Sequence, residues 1–115
     1  MSGGRFREAW IDRRADMGKM FVGTLLIELY IPGSHSLKEK RHIMKGMIER
    51  ARSRYNISAV EIENHDLWQR GSIGIACVGL TESGLRDLLG RICAGIQEAQ
   101  GAEILGAEIE IISIP

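Results

Sequence analysis

The period of the hydrophobic residues limits this chain to very few folds. Leu25, Ile27, Leu29 and Ile31 are uniformly apolar, while Val22, Thr24, Leu26, Glu28 and Tyr30 between them are mixed. Successive side chains of a strand point to opposite faces, so this spacing predicts a strand from Phe21 to Ile31 with its odd positions in the core. Pro32-Gly33 ends it, because proline cannot donate to the ladder and glycine relaxes the turn. The period then changes to that of a helix. Leu37, Met44, Met47, Ile48, Ala51 and Tyr55 fall on one stripe. Ser36-Leu37-Lys38-Glu39 in front of them has the form of a capping box, and Asn56 suits a left-handed helix terminus.

A period of two returns from Ile57 to Asn64, where Val60 and Ile62 alternate with Glu61 and Glu63. A polar turn, His65-Asp66-Leu67, leads into a third strand from about Trp68 to Leu80. Thr81 then caps a second helix, whose Leu85, Leu88, Leu89, Ile92, Ile96 and Ala99 follow the i, i+3, i+4, i+7 rule, with Gly101 just past its end. The last strand runs from about Glu103 to Ile114 and alternates Glu108 and Glu110 with Ile109 and Ile111. Each helix has one apolar stripe and each strand one apolar face. The economical solution is α+β: two helices on one face of a four-stranded antiparallel sheet, the ferredoxin-like βαββαβ plait.

With 115 residues the chain is large enough for one core and too small for two. The domain is expected over residues 20–115. Residues 1–19 read as an extension: a disordered tail, a short amphipathic helix carrying Phe6, Ala9, Trp10, Arg13 and Met17, or residues upstream of a true start at Met17 or Met20. Lys+Arg and Asp+Glu are 15 each, a balance that disfavours non-specific capture of nucleic acid by bulk charge. Cys77 and Cys93 lie in apolar surroundings with no Cys or His at ligand spacing, so they read as buried hydrophobes of a reducing compartment and not as a zinc site. No apolar run approaches the ~20 residues of a membrane span and no signal peptide is visible, so a cytoplasmic location is expected. No metal and no cofactor is expected either.

Two stretches gather chemistry. Between His35 and Arg54 there are seven Lys/Arg against two acids. Lys38, Arg41, Lys45 and Arg52 project along one side at helical spacing, with Lys40 and His42 nearby, and such a stripe can neutralise successive phosphates. The same stripe also suits an ordinary solvated face. The Pro32–Ser36 loop is a weaker anion candidate at the helix start, since Glu39 would place its own charge there. The second stretch is the turn from Asn64 to Arg70. Trp68 and Arg70 could clamp an unpaired base beside His65. Alternatively, Asn64 and Asp66 shape the turn while Trp68 packs over the sheet end. His65 next to Asp66 is the one conceivable acid/base pair, and no catalytic motif supports it.

The open side of the sheet is expected to carry Glu28, Glu61, Glu63, Glu108 and Glu110, and so to repel phosphate. The third strand leaves its two faces undecided. Gly74 and Ala76 are small enough to sit beneath a helix, which would turn Ile73, Ile75 and Cys77 outward; the reverse assignment also fits. Exposed Ile73 and Ile75 together with Val22 and Leu26 would form an apolar patch suited to a homodimer or a protein partner.

Ser36-Leu37-Lys38-Glu39-Lys40-Arg41, followed after a strand by Asp66-Leu67-Trp68-Gln69-Arg70 and a Gly-Ile-Ala strand, resembles the YlxP-like family of uncharacterised bacterial proteins. The resemblance runs from about Met20 to Ile112. It implies a ferredoxin-like fold and no established catalytic residues. Members are often encoded beside translation and ribosome-maturation genes, which implies a role near the ribosome. The expected function is a non-catalytic binding module for RNA or a ribosomal particle, using Lys38, Lys40, Arg41, Lys45, Arg52, His65, Trp68 and Arg70. The alternative is a homo-oligomeric ligand-sensing or protein-interaction domain using the sheet face.

Overall fold

A computed structural model describes residues 19–62, 67–97 and 101–115. Its elements are β1 (Met20–Tyr30), α1 (Leu37–Arg54), β2 (Ser58–Ile62), β3 (Arg70–Gly79), α2 (Glu82–Gln97) and β4 (Glu103–Ile114). The extension over residues 1–18 lies outside the described residues, as do Glu63, Asn64, His65, Asp66 and Ala99. The strands form one four-stranded antiparallel sheet in the order β2-β3-β1-β4. Both helices pack on one side of it, which is the ferredoxin-like arrangement expected from the periods.

The core lies between the two layers. Leu25, Ile27, Leu29 and Ile31 of β1 and its exit meet Met44, Met47 and Ile48 from α1 and Leu85, Leu89, Ile92 and Ile96 from α2. Each such side chain contributes roughly 1.5–3 kcal/mol on leaving water. The helices come close to the sheet because the strands carry glycine beneath them. A Cβ on Gly23 would stand 2.9 Å from Leu89 Cδ1, and one on Gly71 2.8 Å from Met44 Sδ.

Pairing with β1 settles the faces of β3. Ile73 lies opposite Ile27 and Ile75 opposite Leu25, so both isoleucines share the core side and are only 1% and 3% exposed. This overturns Ile73 and Ile75 as interface residues. The small residues under the helices are Gly71 and Gly79 at the strand ends, while Gly74 and Ala76 face outward.

The same parity reverses β2. Val60 pairs with Gly74 and Glu61 with Ile73, so Ala59 faces the core, and Val60 and Ile62 stand on the open side. There they cover Gly74, whose absent Cβ would lie 3.3 Å from Ile62 Cδ1. Glu61 consequently belongs to the helix side and not to the acidic open face expected for it. Glu28, Glu108 and Glu110 do stand on that open face, in register with Ser72, Leu26 and Thr24.

The helix ends are built largely as the residues imply. Ser36 Oγ accepts from Glu39 N–H at 3.1 Å, and Thr81 Oγ1 accepts from Gly84 N–H at 3.0 Å. Glu39 reaches back one residue further than a capping box requires, accepting from His35 N–H at 2.7 Å. α1 ends on Tyr55 in an extended conformation, while Gly101 takes the positive φ of 85° that glycine tolerates.

Candidate nucleic-acid interface

The topology brings the exit of β1, the start of α1 and the turn before β3 to one end of the molecule. Ile31 N–H donates to the Gln69 carbonyl at 2.7 Å. Gln69 Nε2 donates in return to the Pro32 and Ser34 carbonyls at 3.2 and 3.3 Å. Lys40 Nζ donates to the Leu67 carbonyl at 2.7 Å. Fully buried Ser34 closes the loop from inside by donating its hydroxyl to the Ser36 carbonyl at 3.0 Å. The stretches Pro32–Arg41 and Leu67–Arg70 are therefore one clamp, joined by two side chains aimed at backbone oxygens: Lys40 from the helix to Leu67, and Gln69 from the turn to Pro32 and Ser34.

This arrangement corrects Lys40 as a phosphate ligand. It is 3% exposed and lies in the apolar seam of α1, four residues before Met44 and seven before Met47. Its ammonium is committed to holding the turn. Arg52 is committed in a similar way, donating from Nη2 to the Ala59 carbonyl and tying α1 to β2.

The remaining cations are free to act. At 100° per residue, Lys38, Arg41 and Lys45, together with the committed Arg52, fall within about 60° of one another around α1. All four are exposed. Lys45 lies 4.0 Å from Glu49, both largely solvated, a pairing worth little. Among the described residues no carboxylate lies within ion-pair distance of Lys38, Arg41 or Arg70. Trp68 is 51% exposed, and neighbouring Leu67 is exposed as well, although the backbone beneath them is pinned. Arg70 is not brought to the same place. It pairs with Tyr30 and points, by the parity of β3, to the open side of the sheet. The Pro32–Ser36 loop directs its donors inward to Ser36 and Glu39, so nothing is left there for an external anion.

Nucleophilic chemistry finds little here. Burial pushes the thiols of Cys77 and Cys93 up from their ordinary value, which holds them in the unreactive protonated form. Among the described residues no three His, Cys, Asp or Glu side chains gather to hold a metal ion, and no helix is long and apolar enough to cross a membrane.

The family model described as "Protein of unknown function (DUF503)" matches residues 22–109, a range that includes both halves of the clamp. The chain belongs to the DUF503 family. A DUF503 relative, "Uncharacterized protein YlxP" of Bacillus subtilis (strain 168), is 37% identical over 75 residues, which is 65% of this chain and 82% of the relative. A designed protein, "De novo designed protein Foldit4", covers 84% of this chain and 97% of its own at 12% identity, with a TM-score of 0.43. The DUF503 match leaves the whole N-terminal extension outside it. The role of Lys40 and Gln69 in joining the motifs was missed from sequence. One signal did exist: a lysine in the apolar stripe of a helix must either be buried with a partner or break the stripe.

Proposed function

We propose that this protein is a non-catalytic, cytoplasmic binding module that docks on RNA, in free form or within a ribosomal particle, through the start of α1 and the turn before β3. The observation that carries this reading is exposed Trp68 on a turn whose backbone is pinned to α1 through Lys40, while Lys38 and Arg41 on the solvent side of the same helix have no carboxylate partner among the described residues. An indole on a pinned backbone has less freedom to lose on stacking with an unpaired base, and such a stack is worth about 1–3 kcal/mol. Lys38, Arg41 and Lys45 lie where successive phosphates would run. The acids of the open sheet, Glu28, Glu108 and Glu110, orient the opposite face away from RNA. With a net charge of zero, attraction depends on this local patch.

Co-sedimentation with ribosomal subunits tests the reading. Lys38→Glu with Arg41→Glu is expected to remove binding and Trp68→Ala to weaken it. With about three phosphate contacts, log K should fall against log salt with a slope of roughly −2 to −3. Binding that survives the charge reversal unchanged overturns this surface.

A second reading, self-association through the open sheet, rests on a separate observation. Val60, Ile62, Leu26, Val78 and Ile112 are exposed there, with Val22 half-buried among them. Apolar area gathered on one face and bordered by glutamates suits a symmetric partner. This reading keeps Val22 and Leu26 and replaces the buried isoleucines with β2 and β3 residues that do face outward. It expects a dimer in solution that Val60→Glu splits.

A further inference from the structure

On the other side of its buried seam, α1 carries two more arginines. Arg50 and Arg54 stand one turn apart beside a groove of about 230 Å³ between α1 and the later half of α2. The floor of the groove is formed by the little that Met47, Ala51, Ile92 and Ile96 leave at the surface, with half-buried Tyr55 at its edge. Neither guanidinium has a hydrogen-bond acceptor or a carboxylate partner among the described residues. Arg54, in the last turn, is favoured by the helix dipole; Arg50 lies a turn earlier and gains less.

Two glycines shape the site. A Cβ on Gly46 would stand 3.4 Å from Arg50 Nη1, so the missing side chain leaves the arginine room to lie back along α1. On the opposite wall, a Cβ on Gly95 would meet nothing within 4 Å. A glycine there costs the helix about 1 kcal/mol relative to alanine and leaves the groove open.

We propose that this groove binds a small organic anion, with a carboxylate or phosphate head held by Arg50 and Arg54 and a flat apolar body packed against Tyr55 and the arginine stems above the floor. Planar guanidinium groups match either head bidentately, and they are less hydrated than ammonium groups. The volume falls below the roughly 300–1,000 Å³ of sites for drug-sized ligands, so the body is about one or two fused rings. The site is independent of the RNA surface. It lies five to nine residues beyond Lys45, the last cation of that surface, roughly 8–14 Å along the helix, and on the other side of the seam.

Titration of the full chain with 2-naphthoate, 1-naphthyl phosphate and neutral 2-naphthalenemethanol, followed by amide chemical shifts, tests the assignment. Saturable shifts at Gly95 and at Arg50–Tyr55 are expected with at least one anion, and whichever anion binds identifies the head group. The neutral analogue should bind about tenfold or more weakly, and Arg50→Gln with Arg54→Gln should lower anion affinity by a similar factor. Gly95→Leu, at a position where an added Cβ meets nothing within 4 Å, should block the groove while leaving the fold intact. No saturable shift with either anion overturns the proposal. So do shifts confined to the sheet face around Val60, equal affinity for the neutral analogue, or binding unchanged in the arginine variants.

Discussion

Lys40 has the most to teach at the scale of a single residue. By type it belongs with the cations of α1; by position it belongs with Met44 and Met47. Position prevails because its stem lies in the apolar seam and its ammonium has an acceptor at the Leu67 carbonyl, 2.7 Å away. A hydrogen bond to a charged group contributes about 1.5–3 kcal/mol, and truncation also leaves a cavity. Lys40→Ala is therefore expected to lower stability by about 2–4 kcal/mol in urea titrations and to speed amide exchange at Ile31 and Gln69. Lys40→Met keeps the packing and should cost less while loosening the turn equally. Loss of stability with exchange at the turn unchanged would mean that Lys40 only fills space. Gln69 was equally hard to foresee, because its partners, Pro32 and Ser34, lie more than thirty residues away in the chain.

Among the elements, the long ones were the most legible. β1, α1, α2 and β4 each repeat their period often enough for the apolar side to stand out, and α1 and α2 bury the stripes that the spacing marks. β2 is the instructive failure. Five residues with valine and isoleucine on one parity point to a core face, yet Ala59 of the other parity is the one buried. Alternation tells which side chains share a face and not which face meets the helices. At β2 the register with β3 decides, and α1 approaches closely enough that alanine is what fits beneath it. α2 offers a direct test of local propensity. Gly90 is exposed in mid-helix, and a Cβ there meets nothing within 4 Å. Gly90→Ala is expected to raise stability by about 0.5–1 kcal/mol, seen as a higher thermal midpoint. A lower midpoint would contradict the open space found around Gly90.

For the whole molecule, charge and apolar area are largely sorted by layer: the free cations of α1 on the helix side, and Glu28, Glu108, Glu110 and a band of exposed aliphatics on the open sheet, where Arg70 is the exception. The sorting distinguishes two variants that look alike on paper. Ile75→Glu places a carboxylate in the core without a partner and is expected to unfold the domain, with loss of the far-ultraviolet circular dichroism of the native state. Val60→Glu puts the same charge on a residue 55% exposed and should change stability by less than about 1 kcal/mol while abolishing any sheet-to-sheet dimer. Equal loss of structure in both would contradict the register of β2 against β3.

The order of six elements, their layering and the family they belong to were all determined by local pattern, since period, caps and motif spacing are properties of neighbouring residues. The tertiary structure alone decided which face of β2 and β3 is inside, that Lys40 and Arg52 hold backbone rather than phosphate, and that Arg70 parts company with Trp68. Each of these depends on a partner distant in the chain. A residue's type states what it can bond to, and only the fold determines what is within reach.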